Sequence, residues 1–193
     1  MQRICVYCAS STGTNARIVE AACELGEHLV ERNIELIYGG GALGLMGIIA
    51  DTVMAAGGRV TGIIPTGLFP TEVGHTGVTQ LIQVPSMHER KAEMIRLSDG
   101  FVAMPGGFGT LEEVAEVLTW AQLGLHQKPV GFLNVDGFYD PLLAFFDRCV
   151  SDQLLKPKNR SLVLVESEPQ KLLDAFEAHQ PVFEGKWIDL DRI

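Results

Sequence analysis

The chain has 193 residues, 47% apolar and 20% charged, with 21 glycines and a formal net charge of −9. That balance suits one globular domain and excludes a disordered chain. The lack of any basic block excludes nucleic acid and anionic membrane as partners, and no apolar run reaches the roughly 18 residues of a membrane span.

The first element, "RICVYCAS" (3–10), reads as a strand, and its apolar run is too short for a signal peptide. Its Cys5 and Cys8 form a CxxC. Residues three apart on a strand face opposite sides, and no second CxxC or His pair completes a metal set. Cys5, Cys8, Cys23 and Cys149 therefore read as structural thiols, reduced in the cytoplasm. Residues 15–33 carry Ile18, Ala22, Leu25 and Leu29 on one stripe and predict a helix. A strand over 34–41 follows, then a helix over 43–58 closed by a Gly pair. Residues 59–65 predict strand three, 66–79 a loose stretch, and 80–85 strand four. A helix over 87–99 leads to strand five, "GFVAMP" (100–105). A helix over 110–124, strand six over 128–135, a helix over 138–150, strand seven over 161–167 and a helix over 169–179 complete the series. The tail has no clear period.

Strand–helix alternation repeated this often means βαβ units, so the expectation is an α/β fold with a parallel sheet of about seven strands and helices on both faces. No linker or repeat interrupts it, so residues 1–193 are expected to form a single domain. In such folds ligands bind beyond the carboxyl ends of the strands, where two glycine loops stand out.

In "YGGGALGLMG" (38–47), Gly39, Gly41 and Gly44 match G-x-G-x-x-G. The dinucleotide reading also wants an acid at the end of the next strand, but "GIIPTG" has none. What remains is a glycine turn before a helix N-terminus that attracts anions, or simply a tight turn. In "MPGGFGTLEEV" (104–114), Gly106, Gly107 and Gly109 bare the backbone in the same way. Gly39, Gly40, Gly41 and Gly106 are the phosphate-loop candidates, and "CASSTGT" (8–14) adds hydroxyls. No GK[ST] follows either loop, so a monophosphate fits better than a triphosphate.

Thr110-x-x-Glu113 has capping-box spacing, yet Glu112, Glu113 and Glu116 supply more acid than a cap requires. Glu113 is either a cap or a functional acid. In "SMHERKAEMIRL", Arg90 and Lys91 fall on the same face as Met87, Met94 and Ile95. They are either snorkelling stems or cations for phosphate and sugar oxygens. His88 reads as a surface or supporting residue.

"PGGFGTLEE" (105–113) resembles the PGGxGTxxE motif of the LONELY GUY family, the cytokinin riboside 5′-monophosphate phosphoribohydrolases. "MHERKAEM" (87–94), "YGGGALGLMG" and "TWAQLG" (119–124) are similar to other family motifs, and the resemblance runs from Arg3 to the last helix. It implies a Rossmann-like fold and a homodimer with its site near the interface. It also implies hydrolysis of the N-glycosidic bond of AMP or an N6-modified AMP such as isopentenyl-AMP, to free base and ribose 5-phosphate, with no cofactor or metal. Residue by residue it implies a catalytic pair, Arg90 and Glu113, and substrate contacts at Glu72, Lys91, Gly107, Phe108, Gly109, Thr110, Leu111, Glu112 and Thr119. A non-catalytic nucleotide or cofactor carrier is the competing reading, although it needs no carboxylate facing C1′. A pyridoxal-phosphate decarboxylase is disfavoured, because of the six lysines only Lys91 falls near the proposed site.

Overall fold

A computed structural model describes residues 1–66 and 74–181. The elements in chain order are β1 (Arg3–Tyr7), α1 (Ala16–Glu31), β2 (Glu35–Tyr38), α2 (Gly44–Ala55), β3 (Val60–Pro65) and β4 (Gln80–Val84). They continue with α3 (Met87–Leu97), β5 (Gly100–Ala103), α4 (Phe108–Gln122), β6 (Val130–Leu133), α5 (Asp140–Ser151), α6 (Pro157–Arg160), β7 (Val163–Glu166) and α7 (Pro169–Glu177). The strands form one sheet in the order β4-β3-β2-β1-β5-β6-β7, and every pairing is parallel. The chain starts at the centre, walks outward to β4, then returns to place β5 on the other side of β1. Loops leaving β1 and β5 therefore diverge, which opens a crevice at the carboxyl edge.

The inner strands β5 and β6 read as unbroken apolar runs because both faces are covered, whereas the edge strand β4 carries exposed Gln80 and Gln83. Ile4 and Val6 join the core beneath α1, α2 and α7, while Cys5 and Tyr7 join the core beneath α3, α4 and α5. Cys8 lies in the first core and Cys5 in the second, so the CxxC spans the sheet as its spacing predicts. All four thiols are free.

Helix starts follow local chemistry. Asn15 caps α1 by accepting from the Arg17 N–H at 2.9 Å. Ser86 caps α3 by accepting from the Glu89 N–H at 3.2 Å, and its hydroxyl donates to Glu89 Oε2 at 2.9 Å. This S-x-x-E pair is a capping box. It sets the register that sends Arg90 and Lys91 inward. The fourth helix starts at Phe108, not Thr110. The α6 turn and a 3-10 turn at Val135–Gly137 were not expected from the sequence, since elements this short show no period. No described helix is long and apolar enough to cross a membrane.

Candidate active site

A cavity of about 440 Å³ fills the crevice. Its floor is Cys8 to Ser11 after β1 and Gly39 after β2; Gly107 to Thr110, with Glu112 and Glu113, form one wall. Met46, Ile64, Pro65 and Met87 form an apolar side, and Arg90 lies between the two. One end is therefore polar and rich in backbone, the other apolar.

The glycines divide into two kinds. A Cβ on Gly39 would sit 2.0 Å from Arg90 Nη2, and one on Gly44, where φ is +63°, 2.2 Å from the Ser10 carbonyl carbon. A Cβ on Gly41 would meet Met46 Cε at 2.9 Å, and Gly40, at φ +77°, accepts from the His75 N–H at 2.9 Å. The loop after β2 is thus built for close packing, and Gly40 and Gly41 do not line the cavity. This corrects the expectation of two phosphate loops. The Leu45 N–H near the start of α2 is also taken, by the Ala9 carbonyl at 3.1 Å. Gly106 is packing-driven too, since a Cβ there would lie 2.1 Å from Thr110 Oγ1. Gly107 and Gly109 differ: a Cβ on either meets nothing within 4 Å. Gly107 has φ −95° and is the N-cap of α4, with no side-chain cap. Neither a turn nor packing explains these two glycines, and the first N–H groups of a helix have no intrahelical acceptor.

Arg90 and Glu113 meet across the cavity floor. Arg90 Nη1 donates to Glu113 Oε1 at 2.6 Å, Nε to the Ile63 carbonyl at 3.1 Å, and Nη2 to the Gly39 carbonyl at 3.3 Å. Both side chains are only 11% exposed. Snorkelling is excluded, because the guanidinium itself is inside. The capping box at Thr110 and Glu113 is excluded as well: Gly107 is the N-cap, Thr110 is buried inside the first turn, and Glu113 turns to Arg90. Burial pushes the Glu113 carboxyl above the ordinary carboxylate range, against the charge and hydrogen bond of Arg90, which pull it down.

Lys91 is buried and donates to Glu112 Oε1, with Glu116 Oε2 at 3.2 Å. Burial would lower its pKa, but those two carboxylates more than offset it, and the net shift is upward.

Of the expected substrate contacts, Gly107, Phe108, Gly109, Thr110 and Glu112 line the cavity, with Phe108 93% exposed at its mouth. Lys91 does not line it, and Leu111 packs toward the core beneath α4. Thr119 donates to the Ala115 carbonyl and lines a separate apolar hollow of about 270 Å³ with Phe145, Phe146 and Leu154. Glu72 lies outside the described residues. His88 is exposed. The apolar side formed by Met46, Ile64, Pro65 and Met87 was missed as a site. Only the pairing of β3 beside β2 places Ile64 and Pro65 at the crevice.

A family model described as "Possible lysine decarboxylase" matches residues 46–176. The rice (Oryza sativa subsp. japonica) protein named "Probable cytokinin riboside 5′-monophosphate phosphoribohydrolase LOGL9" is 53% identical over 181 residues, covering 94% of this chain and 80% of its own. The cytokinin riboside 5′-monophosphate phosphoribohydrolase LOG7 of Arabidopsis thaliana is 46% identical over 197 residues, covering all of this chain and 91% of its own. Among solved structures, a molybdenum cofactor binding protein from Rippkaea orientalis superposes with a TM-score of 0.69 at 24% identity, over 92% of this chain and 96% of its own. That likeness confirms the Rossmann-like fold and says nothing of chemistry.

Proposed function

We propose, because this chain belongs to the LOG family of cytokinin riboside 5′-monophosphate phosphoribohydrolases, that it hydrolyses the N-glycosidic bond of AMP or an N6-modified AMP to free base and ribose 5-phosphate. The observation that carries the reading is the buried Arg90–Glu113 pair beside a helix N-terminus whose glycines face open space.

The 5′-phosphate sits on the N–H groups at the start of α4, near the Ser10 and Ser11 hydroxyls. Partial positive charge at the helix end and the absence of a side-chain cap favour an anion there. The base lies on the apolar side formed by Met46, Ile64, Pro65 and Met87. C1′ then faces Glu113. As the C1′–N9 bond breaks, its electron pair goes to N9 and positive charge grows on the ribose. The Glu113 carboxylate stabilises that charge and orients a water, whose oxygen bonds to C1′. The water's proton ends on the departing base. Arg90, with all three nitrogens on protein oxygens, fixes the carboxylate rather than forking onto phosphate.

No described lysine lines the cavity, and Lys91 is engaged with two carboxylates, which argues against Schiff-base chemistry despite the family model's description. The chain acts as a homodimer through the apolar hollow on α4 and α5, where Phe145 is 59% and Leu154 81% exposed. Four free thiols suit the reducing cytoplasm.

Incubation of the purified protein with AMP and isopentenyl-AMP, followed by chromatography, tests the reading. Free base and ribose 5-phosphate are the expected products. Saturable binding of both nucleotides with neither product formed would leave a carrier instead.

A further inference from the structure

Two consecutive cations of α3 face three carboxylates of α4. Arg90 takes Glu113, while Lys91 spans Glu112 and Glu116. Residues 112 and 116 are four apart and 113 and 116 three apart, so all three share one flank of the helix. Lys91 is 7% exposed and does not line the cavity. With two of its three donors on carboxylates, it is placed as a fixed counter-ion rather than a ligand donor.

We propose that Lys91 is a positioning residue for the hydrolytic carboxylate: by holding Glu112 and Glu116 it keeps the acidic flank of α4 charge-balanced around Glu113. This rests on the hydrolase reading above. With Lys91 in place the cluster carries one net negative charge; without it, two, beside both Glu113 and the phosphate site.

The groups facing Glu113 are Cys5 and Tyr7 from β1, Cys8 just after it, Arg90 and Lys91 from α3, and Glu112 from its own helix, with Glu116 facing Tyr7. Burial pushes both thiols and the Tyr7 phenol upward, so they stay neutral. The balance falls to Arg90 and Lys91, which lower the Glu113 pKa, and Glu112, which raises it.

The test uses Lys91→Met, Lys91→Arg and the double variant Lys91→Met/Glu116→Gln, which removes one charge of each sign. Two readouts are taken: the titration of the Glu113 carboxyl by carbon-13 NMR, and the pH dependence of kcat/KM for AMP, with circular dichroism to confirm folding. Lys91→Met should move the Glu113 titration and the acid limb of the rate profile upward by about one pH unit, and lower kcat/KM roughly tenfold. Lys91→Arg and the double variant should return both to within about threefold of wild type. An unmoved titration in Lys91→Met overturns the proposal. So does a double variant as impaired as the single one, the result expected if Lys91 touches substrate. If Lys91→Met does not fold, Lys91→Gln, which removes the charge but keeps a polar head between Glu112 and Glu116, carries the same test, and an unmoved Glu113 titration in it overturns the proposal. If wild type releases no base, the hydrolase reading fails, and the NMR titration alone decides whether Lys91 sets the proton affinity of Glu113.

Discussion

Replacing Gly107 by Ala separates a phosphate cradle from a tight turn. The added methyl meets no protein atom within 4 Å, and φ at this position is −95°, open to any residue. As an N-cap, Ala is worse than Gly by about 0.5–1 kcal/mol. Restricting the unfolded chain returns about 0.4–1 kcal/mol. Net stability should change by less than about 0.5 kcal/mol, or roughly 2 °C in Tm for a chain of this size. The same methyl stands where an anion must approach the backbone. Losing one charge-assisted N–H contact removes about 1.5–3 kcal/mol, a roughly ten- to hundredfold fall in kcat/KM for AMP. Adenosine, lacking the phosphate and already a poor substrate, should change little. Gly106→Ala is the control: its Cβ would lie 2.1 Å from Thr110 Oγ1 and 2.7 Å from Thr110 Cβ. Overpacking of that kind costs about 1–3 kcal/mol, or roughly 2–12 °C in Tm. The assay is Tm by circular dichroism with kcat/KM for both substrates. A Gly107→Ala protein that loses stability like Gly106→Ala, and loses AMP and adenosine turnover equally, would refute the cradle.

Glu113→Gln should lower kcat by at least about two orders of magnitude. Its neutral amide can still accept from Arg90 and stands in for the protonated carboxyl that burial favours, so stability at neutral pH should change by less than about 1 kcal/mol; wild-type turnover in the folded variant would remove Glu113 from the chemistry. Arg90→Lys cannot reach the Ile63 and Gly39 carbonyls and Glu113 together. Both stability and kcat should drop, the latter by about a hundredfold or more, and near-normal steady-state kinetics would contradict the anchoring role. Because burial raises the Glu113 pKa, the acid limb of the kcat profile should lie above the ordinary value of about 4.3. The sign for stability is the same: the folded protein holds this proton more tightly, so the contribution of Glu113 is present below about pH 4.3 and is lost as pH rises through the folded value. Comparing Tm against pH for wild type and Glu113→Gln isolates that component; identical curves would mean Glu113 is not buried as described.

The alternation of apolar strands and amphipathic helices was legible because both periods are local, and the parallel sheet follows from them. The glycine runs and the acid and base residues were also visible, as was their likeness to one family. What each glycine does was not. Gly39 and Gly107 look alike in sequence, yet one is there so that Arg90 can pass and the other faces open space. Spacing offered a capping box at Thr110 and Glu113, and the true box lay at Ser86 and Glu89. Arg90 and Glu113 are 23 residues apart, and Arg90 and Gly39 are 51 apart. They meet because α3 leaves the edge strand β4 and passes beneath β3, β2 and β1 before the chain enters β5. Local periodicity says that a helix forms and which face is apolar. Only the order of strands in the closed sheet decides which helix lies beside it, and therefore which buried charges must find each other.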